Sequence, residues 1–264
     1  MAGASPAADM WRYVCATAQG VSHERLELPC QDRCAITSHG RWVIAALADG
    51  AGSAAFAEQG AELAVNAALA HLLNEARAKD AVGLDALRAA AHAARDAIVG
   101  EAGVDGDVRA YACTLQLVAL SDTGGAALQI GDGLIAVNQG QDGWEWVFWP
   151  QRGEFANTTY FVTDVNAADQ WEVTELAPYV FEFALMSDGL EVLALDYAAQ
   201  LAHSPFFEGL LPALRSETAS GELTKLAGQL HTHFLMSARV RQRTDDDLSL
   251  VIAARSPPAK GGLP

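Results

Sequence analysis

"WVIAALADGAG", residues 42–52, is a run of apolar residues that stops on Asp49-Gly50. Its length and aliphatic content describe a strand buried on both faces. A second stretch, "FALMSDGLEVL" at residues 183–193, repeats the arrangement with Asp188-Gly189. Asp-Gly is a favoured turn pair, and Asp is a favoured helix N-cap. Here each pair leads into a helical pattern, so neither closes a hairpin. If the two strands are neighbours, the carboxylates of Asp49 and Asp188 meet at one sheet edge, where like charges repel and raise each other's pKa. A hard divalent cation such as Mg²⁺ or Mn²⁺ resolves that conflict, because it takes oxygen ligands and keeps several waters. The following glycine lets a carbonyl or substrate come close with no Cβ in the way.

Reading outward, "WRYVCATAQG" is a strand and "RCAITSHGRWVIAALAD" a hairpin turning at Ser38-His39-Gly40. "AYACTLQLVALSDTGGAALQIGDGLIAVNQ" adds three strands with Gly-Gly and Gly-Asp-Gly as turns, which places Asp132 in a tight hairpin. "GWEWVFWP" is another strand, its Trp144, Trp146, Phe148 and Trp149 assigned to sheet packing. "FEFALMSD" and "DLSLVIAAR" complete the set. Helical spacing marks residues 54–77 and 84–99 as consecutive helices, and 189–202 and 221–239 as a later helical group. This order predicts an α+β fold of packed sheets with helices outside, in a single domain over residues 11–255. Residues 1–10 and 256–264 read as disordered ends. The polar stretch 151–175 reads as a surface excursion near the site.

Of the 264 residues 51% are hydrophobic, enough for a sizeable core. Lys and Arg number 17 against 33 Asp and Glu, a formal charge of −16. Such a chain repels phosphate backbones and anionic membranes, which argues against nucleic-acid and membrane partners. There is no apolar run of about 18 residues and no secretory leader pattern. Cys15, Cys30, Cys34 and Cys113 read as reduced thiols, so the expected location is cytoplasmic. "CQDRC" lacks a second ligand pair at zinc spacing. His231 and His233 of "HTH" point to different faces of a helix, and "VDGDVR" at 104–109 lacks the later Glu of a calcium loop.

Two further acidic positions touch strand ends: Asp32 in "CQDR", and the triple Asp245-Asp246-Asp247 before the last strand. In order, "CQDR", "ALADGAGSAAFAEQGA", "YACTLQLVAL…LQIGDG", "LMSDGLE" and "TDDDLSLVIAA" resemble the metal-dependent protein phosphatases of type 2C over residues 20–254. The likeness extends to a bacterial branch carrying "SH…PCQD" and "GEFANTT"-like segments, here Ser22-His23, Pro29 to Asp32, and 153–159.

The resemblance implies a four-layer α-β-β-α sandwich, two mostly antiparallel sheets flanked by helix pairs, with two Mn²⁺ or Mg²⁺ ions at one end. Carried over by residue, Asp49 would bridge both ions and the Gly50 carbonyl would bind one. Asp188 and Asp246 would hold the other, and Asp32 would support the site directly or through water. "DDLS" occupies the place of the family's Asp-Asn-x-Thr, which selects Asp246 and puts Asp247 at the Asn. Some members carry a third ion, for which Asp107 is the nearest acidic residue before the "CT" strand. The implied reaction is hydrolysis of phosphoserine or phosphothreonine on a protein, by in-line attack of a bridging water. The implied partners are a phosphorylated protein substrate and a cognate bacterial kinase system.

The chain departs from the pattern at two places. "DGHGG" is "DGAGS", so Ala51 replaces a histidine, and the usual phosphate-binding arginine position is Glu27. Arg25, Arg33 and His23 are the available substitutes, Arg25 first because it lies in the same approach loop. The substrate-shaping flap is short and reworked around Phe155 to Thr163. These departures motivate an alternative, a phosphoprotein-binding module with little turnover. A third reading is a two-metal phosphohydrolase of small molecules.

Overall fold

The computed structural model describes residues 11–79, 81–140, 143–152 and 159–255. The chain opens with β1 (Trp11–Ala18), the short helix α1 (Val21–Leu26), and the expected hairpin of β2 (Arg33–His39) and β3 (Trp42–Ala48). The hairpin turns on Gly40 at φ +57°, a left-handed conformation that glycine adopts without steric cost. The two expected helices follow as α2 (Ala57–Lys79) and α3 (Leu84–Ala102). Next come β4 (Leu115–Ser121), β5 (Gly124–Ile130), β6 (Leu134–Asn138), β7 (Trp144–Trp146), β8 (Glu172–Leu176) and β9 (Glu182–Met186). The last part holds α4 (Glu191–Ala194), the ribbon β10 (Leu195–Asp196) and β11 (Leu201–Ala202), and α5 (Ser204–Ser216). It ends with β12 (Gly221–Glu222), α6 (Thr224–Gln229), α7 (Ala238–Arg241) and β13 (Leu248–Arg255).

Two sheets form the centre: β12-β1-β13-β9-β6-β7, and β2-β3-β4-β5-β8. Every pairing in them is antiparallel except β1 with β12. The period-2 alternation of the strands sends each side chain to one of two cores. Val43, Ala45 and Leu47 of β3 face Phe183, Leu185, Val251 and Ala253 of the other sheet. The alternate residues Ile44, Ala46 and Ala48 face Ala61, Ala64, Ala68 and Leu72 of α2, with Leu87, Ala91 and Ala94 of α3 behind. Alanine at the contact positions keeps both helices close to the sheet. The opposite sheet is covered by Leu190, Phe207, Leu211, Leu214, Leu230, Leu235 and Val240. The layers are therefore α-β-β-α, with a long helix pair on one face and shorter helical pieces on the other.

Four local readings are corrected. Residues 131–133 do not close a hairpin: β5 and β6 belong to different sheets, so this Gly-Asp-Gly carries the chain across the sandwich. The helix expected over 189–202 is confined to α4 and a preceding short 3₁₀ turn, after which the chain forms the β10–β11 ribbon. Helix α5 was not expected. Pro205 sits in its first turn, where the missing N–H costs nothing, while Pro212 lies in its interior. The polar excursion is not wholly superficial, since Val162 and Ala167 are buried and β8 pairs with β5. Residues 155–158 of the flap segment, and both expected disordered ends, lie outside the described residues.

The aromatic run divides. Trp144 is buried and stacks on Phe207 at 4.2 Å, and Phe148 is buried too. Trp146 is exposed and meets Trp149 edge-on, which in turn meets Tyr197.

Candidate functional site

Strand register alone brings the acidic positions together. Arg33 pairs with Ala48, so the start of β2, preceded by Asp32, lies beside the end of β3, followed by Asp49. Leu250 and Leu134 both pair with Met186. The starts of β13 and β6, preceded by Asp246 and Asp132, therefore lie beside the end of β9, followed by Asp188. Leu47 pairs with Gln116 of β4, the neighbour of β3 in the same sheet, which starts at that same end. The antiparallel order of both sheets thus delivers these carboxylates to one end of the sandwich.

Asp49 is pinned by its backbone: its N–H donates to Thr114 Oγ1 at 2.9 Å and its carbonyl accepts from Thr114 N–H at 2.8 Å. A Cβ on Gly50 would stand 2.8 Å from the carbonyl oxygens of Ala57 and Gln31, so only glycine fits between β3 and the approach to α2. Gly189 is squeezed in the same way against the backbone of Asp247. The glycine of each Asp-Gly pair is therefore required by close backbone approach.

Asp32 is fully buried, and neither of its carboxylate oxygens has a hydrogen-bond partner of full geometry. Removal from water, with Asp247 and Asp188 adding like charge, pushes its pKa up to about 8, although the hydroxyls of Ser187 and Ser249 pull the other way. Asp49 is raised well above the usual range by the same loss of water and by Asp32, Asp188 and Asp246. Asp188 rises to about 6 through loss of water, Asp246 and Asp132; its Oδ1 is also unpartnered. Asp49 and Asp188 lie within reach of sharing a proton.

Asp246 and Asp247 divide the work of the acidic triple. Asp247 is buried and accepts from Gly20 N–H at 2.6 Å and Gln31 N–H at 2.6 Å, with His23 Nδ1 at 2.9 Å. It ties the β13 approach to the N-terminal loop and has no oxygen left over. Asp246 is exposed, among the described residues accepts only from Asp247 N–H at 2.8 Å, and is raised by loss of water on its inner side.

Two more acids join this end: Asp132, which the sequence alone places in a hairpin turn, and Glu191, to which no sequence signal points. Asp132 is half-buried and raised chiefly by loss of water, with Asp246 adding like charge. Glu191 is buried and pushed up to about 7 by loss of water and by Asp188 and Asp132. Arg152 Nη2 binds both Glu191 oxygens at 3.0 and 3.1 Å and also acts on Asp132. Asp107, the residue considered for a third ion, caps its own 3₁₀ turn by accepting from Arg109 N–H at 3.0 Å.

The basic candidates lie on the periphery. Arg25 is exposed, its Nη2 3.8 Å from Asp245. Arg33 donates to the carbonyls of Cys30 and Asp32 at 2.9 and 2.7 Å and pairs with Glu58. His23 is held by Asp247.

The residues fit a hard cation. The donors are oxygens, two of the carboxylates hold unpartnered buried oxygens, and among the described residues the basic side chains acting on Asp132 and Asp246 are Arg152 and His23. Among the described residues no three of His, Cys, Asp and Glu stand in ready-made metal-ligand geometry. Mg²⁺ or Mn²⁺ keeps several waters and needs few protein carboxylates.

A family model described as Protein phosphatase 2C matches residues 19–230, a span that holds Asp32, Asp49, Asp132 and Asp188. Serine/threonine-protein phosphatase 3 of Escherichia coli is 34% identical over 251 residues, covering 92% of this chain and 98% of its own. The Mycobacterium tuberculosis serine/threonine phosphatase PstP/Ppp superposes with a TM-score of 0.65 at 18% identity, covering 94% of this chain and 100% of that one. A catalytic domain of PstP in complex with 2 manganese ions gives a TM-score of 0.61 at 20% identity, covering 94% and 99%.

Proposed function

The chain belongs to the protein phosphatase 2C family, and from that premise we propose that it is a metal-dependent hydrolase of phosphoserine and phosphothreonine in proteins. The observation that carries this reading is the end-of-sandwich cluster of Asp49, Asp188, Asp246 and Asp32, like charges brought together with oxygens to spare. When bound, two Mn²⁺ or Mg²⁺ ions supply hydroxide at neutral pH and neutralise the phosphoryl oxygens. Asp49, Asp188, Asp246 and the Gly50 carbonyl are the groups that would hold them, with Asp32 behind. A third ion is assigned to Asp132 rather than Asp107, a reading supported by the like charge of Asp132 on Asp188 and by the cap that Asp107 makes on its own turn.

The rest of the chemistry falls to nearby side chains. Asp247 fixes the loop that presents Asp246. Arg152, in contact with Glu191, is the guanidinium beside the carboxylates and is assigned to orient the phosphate; Arg25 is left to the outer rim. Ala51 offers no proton, so the leaving alkoxide takes one from solvent. The site serves a kinase–phosphatase cycle in the cytoplasm, a reading in keeping with four unpaired cysteines. No helix of the described residues is long and apolar enough to cross a membrane.

The test is turnover of p-nitrophenyl phosphate and a phosphothreonine peptide with and without Mn²⁺. Metal-dependent release of phosphate from both substrates is expected. Binding of the peptide without turnover would instead favour a phosphoprotein-binding module, and turnover of the small ester alone a small-molecule hydrolase.

A further inference from the structure

On the outer face of the six-stranded sheet, a groove of about 490 Å³ lies between α5 and the segment running from a π-helical turn (Leu230–Leu235) through α7. Its floor is apolar, made by Leu193, Phe206, Leu210, Phe234 and Val240, with Phe206 and Phe234 edge to face at 5.9 Å. Its rim is basic: His203, His233, Arg239 and Arg243, all exposed. No acidic side chain lines it among the described residues.

This is unusual in a chain of formal charge −16. Most arginines here are held by a carboxylate or a carbonyl, as Arg33, Arg95, Arg152, Arg215, Arg241 and Arg255 are. The side chains of Arg239 and Arg243 have no ion pair or hydrogen bond among the described residues, and both turn onto one groove. Neighbouring Arg241 points the other way, to Gln19 and Glu24 on the wall toward the acidic site. The groove is thus separate from the carboxylate cluster and opposite to it in charge. The π-helical turn adds to the case, because such widened turns are rare and gather at functional positions. Here it carries His233 and Phe234 to the rim and floor.

We propose that this groove docks an acidic segment of a partner protein, one apolar side chain seated on Phe206 and Phe234 and flanking Asp or Glu residues on Arg239 and Arg243. An apolar anchor inside a charged rim is the usual anatomy of a peptide-binding groove. The cationic rim complements an acidic segment, while the formal charge of −16 carried by every copy opposes association of the chain with itself. The proposal stands whether or not the phosphatase reading does.

The test uses the full chain in EDTA, so that the carboxylate cluster repels acidic peptides. Backbone amide shifts are followed by NMR on titration with the acetylated, amidated peptide Glu-Glu-Leu-Phe-Glu-Glu, and with Lys-Lys-Leu-Phe-Lys-Lys as the opposite charge. The acidic peptide is expected to shift amides around Phe206, Phe234 and Val240, with the basic one at least tenfold weaker there. In the Arg239→Ser/Arg243→Ser variant the acidic peptide should lose about tenfold in affinity, while Mn²⁺-dependent turnover of p-nitrophenyl phosphate stays within twofold. A Phe234→Ala variant checks the floor separately and should weaken both peptides. Equal binding of the two peptides, no shift at the groove, or undiminished affinity in the double variant would overturn the proposal. So would self-association on gel filtration that the double variant abolishes, since that makes a second copy the occupant.

Discussion

Strand β9 begins on Glu182 and runs on into Asp188, and the carboxylates at its two ends live under opposite conditions. Glu182 is buried and satisfied: it accepts from Arg215 Nε at 2.6 Å, Arg215 Nη2 at 2.7 Å and Asn138 Nδ2 at 2.8 Å. Arg215 is held charged by Glu182 and Glu208. Asp188, six residues on and just past the other end of the strand, has an unpartnered oxygen and faces Asp49, Asp132 and Asp246. Burying a charge is tolerated only with a partner. At the Glu182 end the protein supplies that partner itself. At the Asp188 end it supplies more like charge, which makes sense only where the counterion comes from solution. The contrast separates a structural charge from a functional one within a single strand.

Breaking the acidic end should have the largest effect. Asp49→Asn is expected to lower Mn²⁺-dependent turnover of p-nitrophenyl phosphate on the order of a hundredfold or more. The metal-free variant should melt no lower than the parent, because a repelling charge has gone. Asp247→Ala is the counterpart that sharpens the comparison. Although it adjoins Asp246, it strips partners from Gly20, Gln31 and His23 and should cost about 3 kcal/mol in urea unfolding. At the paired end, Arg215→Ala leaves Glu182 buried without its cation; a loss of about 2 kcal/mol is expected, with turnover unchanged.

The pH dependence of the metal-free protein tests the same contrast without mutation. Asp32 and Asp188 are raised in the fold to about 8 and about 6 from an ordinary value of 3.8. Between the ordinary and raised values the folded chain holds protons that the unfolded chain has released. These groups therefore destabilise the fold progressively as pH rises from about 4 to about 8. The melting temperature in EDTA should fall by several degrees across that window, and Mn²⁺ should restore it at the upper end. Arg152→Ala should have the smallest effect. A rise of about tenfold in KM for the phosphothreonine peptide, with little change in kcat, is expected if this guanidinium orients the phosphate.

Much of the architecture could be read from the chain because β3 and β9 are apolar runs that end on acid, β13 is an apolar run that follows acid, and α2 and α3 carry long helical spacing. Asp49 and Asp188 follow from those strand ends and Asp32 from its place just before a strand, while Asp246 is selected from its triple by the resemblance to the family's Asp-Asn-x-Thr. Asp132 is visible at a turn but is set aside as turn chemistry, because a Gly-Asp-Gly link reads the same whether the next strand pairs with the last or crosses to the other sheet. Only the pairing of β6 with β9 distinguishes them. Glu191 and Arg152 meet across 39 residues of sequence, a separation at which no local spacing rule operates. Helix α5 was hidden by Pro205 and Pro212, and its place is set by Phe207, Leu211 and Leu214 packing on the sheet rather than by local preference. The roles of Asp246 and Asp247 are separated by their partners, which come from the far N-terminal loop.

The central claim is that distant carboxylates share divalent ions, and the anomalous scattering of crystals soaked in MnCl₂ tests it most directly. Two strong peaks in contact with Asp49, one of them also touching Asp188 and Asp246, are the predicted result. Manganese elsewhere on the surface, with Asp49 and Asp188 free of it at saturating concentration, would contradict the account.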